Sequence, residues 1–243
     1  MPFHHPVIEL PLTVAQFHTL PRNAGYKYEY LDGRAVLSPR PKTFTGVLDL
    51  APLPRPDGFD VRPLPAADIP SLVDLFRHAS AHTQPFQSLP NEKAQLAAAD
   101  AIHQTADGRD GPVIEQACFR VYGDRHPDPV GAILVTLVPP EVLTEPFAGE
   151  WKEKPPPDAI ERKLGVPHLT WVFVSWWEAR RGFGTALLAH SVNALLEMGF
   201  THLASTFALD NGPSLLWHWR NGFRLLPQWS ACVPPRKATK PAE

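Results

Sequence analysis

The residues of this chain best suited to hold a phosphate group form a turn of arginines and glycines. The turn reads Arg180-Arg181-Gly182-Phe183-Gly184-Thr185, and it joins a predicted apolar strand to a predicted amphipathic helix within residues 169–199. Such a turn points several backbone N–H groups and the positive end of a helix at one place, which suits a pyrophosphate. The glycines let a ligand approach the backbone closely. The simpler alternative is a tight turn without a ligand.

Two common nucleotide-binding motifs do not fit this turn. The dinucleotide fingerprint needs a third glycine three residues after Gly184, where Leu187 stands, and the P-loop needs a Gly-Lys-Ser/Thr sequence that the turn lacks. The turn instead resembles the Gln/Arg-x-x-Gly-x-Gly/Ala signature of the GNAT superfamily of acyl-CoA N-acyltransferases, which begins five residues after a strand valine. Val174 and Ala179 have that spacing. Ala179 removes one side-chain anchor but leaves the backbone donors in place.

A later segment resembles another motif of the same superfamily, Asn-x-x-(Ala)-x-x-x-Tyr-x-x-x-Gly-Phe. Asn211, Gly222 and Phe223 have its spacing, Ser214 fills the small-residue position, and His218 stands where tyrosine is usual. The same residues also have the ordinary marks of a capped helix, with an N-cap asparagine and a glycine past the end. The two motifs together, in order, carry the resemblance.

The resemblance implies an α/β fold with a mixed, V-shaped central sheet flanked by helices. It also implies acetyl-CoA as the co-substrate. The signature strand would separate from the strand predicted at residues 201–209, so that backbone groups of Val172, Phe173 and Val174 bind the pantetheine arm and the acyl oxygen. The pyrophosphate would lie on the turn, and Asn211 would be a further cofactor contact. The residues of the turn implied to bind are Arg180, Arg181, Gly182, Phe183, Gly184 and Thr185.

Acetyl transfer to an amine also requires that the amine lose a proton and that the departing thiolate gain one. Many members of the superfamily have a glutamate five residues before the motif asparagine, but Thr206 is there and cannot be the base. We expect His168 to handle a proton, because a histidine titrates near neutral pH. By the two-residue period of a strand, His168 would share a face with Val172 and Val174. The alternative is a histidine at the rim or in the core.

Two further side chains could take part in proton transfer. His218, at the tyrosine position, could protonate the thiolate, or it could pack between the tryptophans on either side of it. Glu115, on an early predicted strand, could act through a water molecule. Beside the turn, Trp176-Trp177 could cover the cofactor or pack in the core, and Glu178 could attract a cationic amine or lie solvated at the start of the helix.

Composition narrows the remaining classes of function. The net charge is −2, which gives no indication of a nucleic-acid or membrane partner. Cys118 and Cys232 are far apart and outside any metal-ligand pattern, so we expect no metal and a reducing compartment. The N-terminus lacks the pattern of a signal peptide, and no apolar run is long enough to span a bilayer. We therefore expect a cytoplasmic protein.

The chain is predicted to have three parts. Residues 1–58 form an N-terminal extension with a hairpin at the Asp-Gly turn, residues 59–226 form the acyltransferase domain in the order β-α-α-β-β-β-α-β-α, and residues 227–243 form a proline-rich, flexible tail. Residues 113–122 are predicted as one strand. Residues 140–167 are unusually long for a connection and could cover the acceptor site or be ornamental. The turn-rich composition of the extension suggests that residues 1–55 can be removed without loss of the fold.

These observations predict an acetyl-CoA-dependent N-acetyltransferase that moves an acetyl group to a primary amine by direct attack on the thioester. The acceptor could be a small molecule or a protein, and a homodimer is an open alternative to a monomer. The rival function is a non-catalytic module that binds or senses acyl-CoA, since the departures at Ala179, Thr206 and His218 remove side chains that the superfamily commonly has.

Overall fold

The computed structural model describes residues 8–21, 26–39, 43–83, 86–124, 127–144, 150–208 and 211–226 of the 243-residue chain. The predicted tail at 227–243, with Cys232, therefore lies outside the described residues. The helices are α1 (Val14–Thr19), α2 (Val73–Ser80), α3 (Asn91–Ala106), α4 (Phe183–Glu197) and α5 (Gly212–Arg220). The strands are β1 (Ile8–Leu10), β2 (Tyr26–Leu31), β3 (Arg34–Pro39), β4 (Thr43–Asp49), β5 (Asp60–Pro63), β6 (Phe119–Tyr122), β7 (Pro129–Val138), β8 (Val166–Val174), β9 (His202–Ala208) and β10 (Arg224–Leu225).

A seven-stranded mixed sheet organises the larger part of the protein. Its strand order is β10-β4-β9-β8-β7-β6-β5, and every neighbouring pair is antiparallel except β8 and β9, which run parallel. From β5 to α5 the chain follows the predicted order of strands and helices. The GNAT-like α/β arrangement predicted from the two motifs is the arrangement observed.

Helices cover both faces of this sheet. On one face, which we call the α2 face, Phe76 of α2 packs edge-on against Trp171 and Phe173 of β8, at ring separations of 4.7 and 5.1 Å. On the other, the α4 face, His190 of α4 packs on Phe119, whose cross-strand partner is Ile133. The main hydrophobic core fills the space between the helices and the sheet. Most of its largest fully buried side chains come from β7, β8, α4 and the segment before α2.

Strand β4 comes from the segment that the sequence analysis assigned to the N-terminal extension. It pairs along its whole length with β9, from Thr43 opposite Ala208 to Asp49 opposite His202, and β10 pairs with its other edge. Val47 is 1% exposed. The sequence analysis did not predict this strand. Strand β4 therefore argues against the expectation that residues 1–55 are dispensable, because their removal would leave β9 and β10 without the strand between them.

The remaining N-terminal strands form a separate small sheet in the order β1-β3-β2. Strands β2 and β3 make a hairpin around Asp32 and Gly33, which both have positive φ, as a two-residue type I′ turn requires. Helix α1 begins with a capping box, in which the Thr13 hydroxyl accepts from the Gln16 N–H and the Gln16 side chain accepts from the Thr13 N–H. A core of its own, which includes Phe17, holds this unit together.

Two connections differ from the sequence prediction. Residues 113–122 are not one strand, because Val113 makes only an isolated bridge to Thr136 and a turn of 3₁₀ helix, Glu115–Ala117, precedes β6. The long connection between β7 and β8 packs against the rest of the fold, and Ala159 within it is fully buried in the main core. The Trp151 Nε1–H donates to the carbonyl oxygen of Leu137 at 2.8 Å, and Val142 is buried in a small apolar cluster.

Candidate functional site

The parallel strands β8 and β9 separate partway along their length. Their pairing consists of His168 opposite Ala204 and Leu169 opposite Ser205. Strand β8 then continues to Val174 and β9 continues to Ala208 without further pairing to each other. Past Leu169 and Ser205 the facing backbone N–H and C=O groups lack the ladder partners that a continuous sheet would give them. This split makes the sheet V-shaped.

A β-bulge in β8 decides which side chains face each side of the split. Leu134 lies opposite Trp171 and Val135 lies opposite Leu169, so Thr170 is an extra residue without a cross-strand partner. The bulge shifts the alternation of side chains by one residue. His168 therefore shares the α2 face with Trp171 and Phe173, whereas Val172 and Val174 lie on the α4 face. The predicted common face for His168, Val172 and Val174 is wrong for this reason.

Helix α4 begins directly beyond the split, and its N-terminus has no side-chain cap. Its N-cap residue is Gly182, with φ of 94° in the left-handed region, and no acidic side chain lies in the first turn. The Ala186 N–H bonds the carbonyl of Gly182, so the N–H groups of Phe183, Gly184 and Thr185 precede the first bond of the helix. This end of the helix offers free donors and a positive dipole to an anion.

Aromatic side chains explain part of the glycine pattern. A Cβ on Gly182 would lie 3.1 Å from Cζ of Phe59, and a Cβ on Gly184 would lie 3.1 Å from the indole nitrogen of Trp217. Close packing inside the chain therefore disfavours a side chain at either position, whether or not a ligand is bound. Phe183 is buried and packs edge-on against Phe59 at 5.0 Å.

The two arginines of the turn have different surroundings. Arg180 is exposed and has a φ of 65°, an unusual conformation for a residue other than glycine. Arg181 forms an ion pair with Glu178, whose side chain is buried. Glu178 is therefore neither a free anion for an amine nor a solvated charge, which corrects both predicted roles. Of this group, Arg180, Arg181 and Thr185 are exposed to solvent, and Arg181 keeps its contact with Glu178.

Helix α5 closes the α4 side of the split. Asn211 is its N-cap, and the Asn211 side-chain oxygen accepts from the Ser214 N–H at 3.1 Å. The cap leaves the amide NH₂ of Asn211 as a donor in a half-buried position. Trp217 of the same helix reaches back to Gly184, so the two motifs found in the sequence lie against each other.

His218 is buried among aromatic rings, and both of its ring nitrogens have partners within the chain. Phe207 stacks on it at 4.1 Å, while Trp217 and Phe223 meet it edge-on. Its Nδ1 lies 2.8 Å from the carbonyl oxygen of Ser214, and its Nε2 lies 2.9 Å from the Ser205 hydroxyl. A carbonyl only accepts, so Nδ1 carries the hydrogen and Nε2 accepts from Ser205. Burial lowers the pKa of His218 to about 4, which leaves the ring neutral near pH 7.

His168 is half-buried on the α2 face and contacts two threonines. Its Nδ1 lies 3.2 Å from the Thr170 hydroxyl and its Nε2 lies 3.2 Å from the Thr206 hydroxyl. Burial, with a smaller contribution from His218, lowers the pKa of His168 to about 4. The two histidines therefore approach the split from opposite faces, through the neighbouring residues Ser205 and Thr206.

Other predicted residues lie outside this group. Glu115 is exposed in the 3₁₀ turn, where its carboxylate accepts the Ala66 N–H at 3.0 Å. Trp176 and Trp177 are exposed and pack edge-on against each other, and their rings lie against His82 and His78. The sequence analysis did not identify Ser205 as a partner of His218. The two-residue period of β9, which turns Ser205 and Phe207 to one face, could have indicated it.

Within the described residues, no helix is long and apolar enough to cross a membrane. No group of three or more histidine, cysteine, aspartate or glutamate side chains is placed there to hold a metal ion.

Neither protein-family models nor curated proteins match this chain. Solved structures that are similar include PaiA N-acetyltransferase from Thermoplasma acidophilum in complex with coenzyme A, at 12% identity and a TM-score of 0.44 over 69% of this chain and 90% of that chain. Ribosomal-protein-alanine N-acetyltransferase from Brucella melitensis biovar Abortus 2308 is similar at 13% identity and a TM-score of 0.42, over 72% of this chain and 97% of that chain. A functionally unknown conserved protein from Staphylococcus epidermidis ATCC 12228 is similar at 11% identity and a TM-score of 0.47, over 75% of this chain and 57% of that chain. The GNAT-like fold itself is carried by the strand order, the parallel β8–β9 pair and its split.

Proposed function

We propose that this protein is an acetyl-CoA-dependent N-acetyltransferase that acts on a primary amine. The observation that carries the proposal is the split between β8 and β9 opposite the uncapped N-terminus of α4. One feature offers unpaired backbone groups to an extended amide-containing chain, and the other offers N–H donors to a pyrophosphate. Acetyl-CoA has both groups, because its amide-containing pantetheine arm runs from the pyrophosphate to the thioester.

In this proposal the pyrophosphate lies on the N–H groups of the first turn of α4, with Arg180 and Thr185 beside it. The Asn211 amide is a further donor on the α5 side. The pantetheine arm follows the open edge of β8 along Val172, Phe173 and Val174, and the thioester comes to the apex of the split near Leu169 and Ser205. A backbone N–H at that apex would polarise the thioester carbonyl, since such donors stabilise the charge that develops on oxygen.

The acceptor amine would come from the α2 face. His168 and Thr206 lie on that face at the apex, and Thr206 is exposed. We assign proton handling to His168 on this geometry. His218 acts through Ser205, because its Nε2 accepts from that hydroxyl and holds it at the apex. Neutral His218 has no hydrogen on Nε2 to give to sulfur, so a direct role as the acid needs the protonated ring.

We place this activity in the cytoplasm, on the support of a buried free thiol at Cys118. The amine that accepts the acetyl group is to be identified by the assay described below. The rival function is the binding or sensing of acyl-CoA without catalysis, and the enclosure of His218 favours it. In the proposed enzyme, His168 on the α2 face is the base.

The test is release of free thiol from acetyl-CoA, measured with and without a panel of primary amines that includes small amines, an aminoglycoside and a peptide N-terminus. We expect release that depends on one class of amine and that is lost in His168→Gln. Binding of acetyl-CoA without release for any amine would favour the sensing module. Absence of binding would contradict both functions.

A further inference from the structure

Thr206 and His168 are joined to a chain of hydroxyl groups that ends on a backbone carbonyl. On this arrangement, which rests on the proposed function, we infer that Thr206 is a catalytic residue whose hydroxyl relays a proton from the acceptor amine to Nε2 of His168. We further infer that Thr136 and Thr170 are positioning residues, which hold His168 in the tautomer able to receive that proton.

The direction of each hydrogen bond follows from the number of hydrogens available. The Thr136 hydroxyl lies 2.9 Å from the carbonyl oxygen of Asp110, which can only accept, so Thr136 donates to it. The Thr136 and Thr170 hydroxyls are 2.8 Å apart, and Thr136 has already used its hydrogen, so Thr170 donates to Thr136. The shorter distance favours this bond over the one from Thr170 to the carbonyl of His168, at 3.3 Å.

The same count fixes the hydrogen on His168. The Thr170 oxygen has given its own hydrogen to Thr136, so at 3.2 Å from Nδ1 it must accept, and Nδ1 must carry the hydrogen. In the neutral ring Nε2 then has a lone pair, and the Thr206 hydroxyl donates to it across 3.2 Å. Burial and His218 lower the pKa of His168 to about 4, so this neutral ring prevails near pH 7.

The position of Thr206 suits a relay. It is the first residue of β9 beyond the last β8–β9 pair, which ends at Ser205. It is exposed, whereas Ser205 on the opposite face is 2% exposed. A molecule on the α2 face can therefore reach the Thr206 oxygen at the apex of the split. From there the path to Nε2 of His168 is a single hydrogen bond.

In the proposed reaction one proton passes from the amine to the thiolate by way of Thr206 and His168. The neutral amine attacks the thioester carbonyl carbon and forms the C–N bond. As it does so, an N–H proton passes to the Thr206 oxygen while the Thr206 hydroxyl proton passes to Nε2 of His168. The C–S bond breaks, and the electron pair leaves on sulfur. The imidazolium then returns its proton through Thr206 to the thiolate, which leaves as a thiol and restores both residues.

One experiment tests the positioning chain without any substrate. The ¹⁵N shifts of the His168 ring in the full-length protein, assigned by comparison with His168→Gln, report which nitrogen carries the hydrogen. We expect a protonated Nδ1 and an unprotonated Nε2 in the wild type, and a loss of this preference in Thr170→Val. A hydrogen on Nε2 in the wild type would overturn the relay, whether or not the protein binds acetyl-CoA.

A second experiment tests Thr206 itself, with ethylamine, ethanolamine and spermidine as acceptor probes and thiol release as the readout. Thr206→Val keeps the shape of the side chain and removes the hydroxyl. We expect kcat to fall by roughly 10²-fold or more, because the valine breaks the path of the proton to His168. Thr206→Ser keeps the hydroxyl and should stay within a few-fold of wild type. The His168 tautomer and the affinity for acetyl-CoA should be unchanged in both. Equal kcat for Thr206→Val and wild type would overturn the relay. Failure of the wild type to bind acetyl-CoA would count against the proposed function instead.

Discussion

Replacing His218 by phenylalanine should weaken the acid sensitivity of the fold. In the folded protein His218 is 3% exposed, and burial lowers its pKa from 6.5 to about 4. The unfolded chain binds a proton near pH 6.5, but the folded chain does not until the pH is close to 4. Between these values the unfolded state holds more protons. The stability that neutral His218 provides is therefore present above pH 6.5 and is lost as the pH falls through this window.

The magnitude follows from the two pKa values. Lowering the pH from about 7.5 to about 5 should reduce the free energy of unfolding by about 2 kcal/mol through this single group, since one pKa unit corresponds to about 1.4 kcal/mol. The half-buried His168 should add a smaller loss of the same sign. His218→Phe should remove the first of these contributions and reduce the second slightly, because His218 also helps to lower the pKa of His168.

Urea unfolding of wild type and His218→Phe at both pH values measures the effect. Phenylalanine fits the aromatic surroundings but leaves the Ser205 hydroxyl and the Ser214 carbonyl without their imidazole partner, which lowers stability at both pH values. This common cost cancels in the difference between the two pH values. The wild type should lose about 2 kcal/mol more than the variant between them. An equal loss in both proteins would refute the reasoning that His218 is buried in its neutral form.

Two further predictions concern the fold. Deletion of residues 1–55 should abolish cooperative unfolding, because it removes β4 from between β9 and β10. Deletion of residues 1–39 keeps β4 and should preserve cooperative unfolding. A cooperative transition in the longer deletion would show that β4 is dispensable. In a Cys232→Ser background, Cys118 should resist thiol reagents near pH 8 until the protein is unfolded, because burial raises the pKa of its thiol to about 12; fast labelling of the folded protein would contradict this.

Much of the larger sheet could be predicted from the sequence. The apolar runs and the two motifs identified β7, β8, β9, α4 and α5, and the order of elements from β5 onward is the one observed. Strand β4 was missed because residues 43–49 precede the pattern and pair with a strand more than 150 positions later, from Thr43 to Ala208 and from Asp49 to His202. No local signal in a sequence reports such a pairing.

The candidate site was predicted in its backbone and missed in its side chains. Glycine positions and strand endings are local features, so the turn at Gly182 and the split strand followed from the motifs. The bulge at Thr170 depends on the register with β7, which periodicity alone does not reveal, and it reversed the face assigned to Val172 and Val174. The partners of His168 and His218 depend on how β9 meets β8, and only the fold shows that.

Calorimetry of acetyl-CoA binding to Thr185→Glu tests whether the N-terminus of α4 binds the pyrophosphate. The new carboxylate lies in the first turn of α4, where it suits the helix dipole and should leave the fold stable, but it opposes a bound pyrophosphate. Asn91→Glu adds the same charge to the first turn of α3 as a matched control. We expect wild type and the control to bind alike, and Thr185→Glu to bind at least about tenfold more weakly, a difference of about 1.4 kcal/mol. Unchanged affinity in Thr185→Glu would show that the pyrophosphate does not bind at this helix N-terminus.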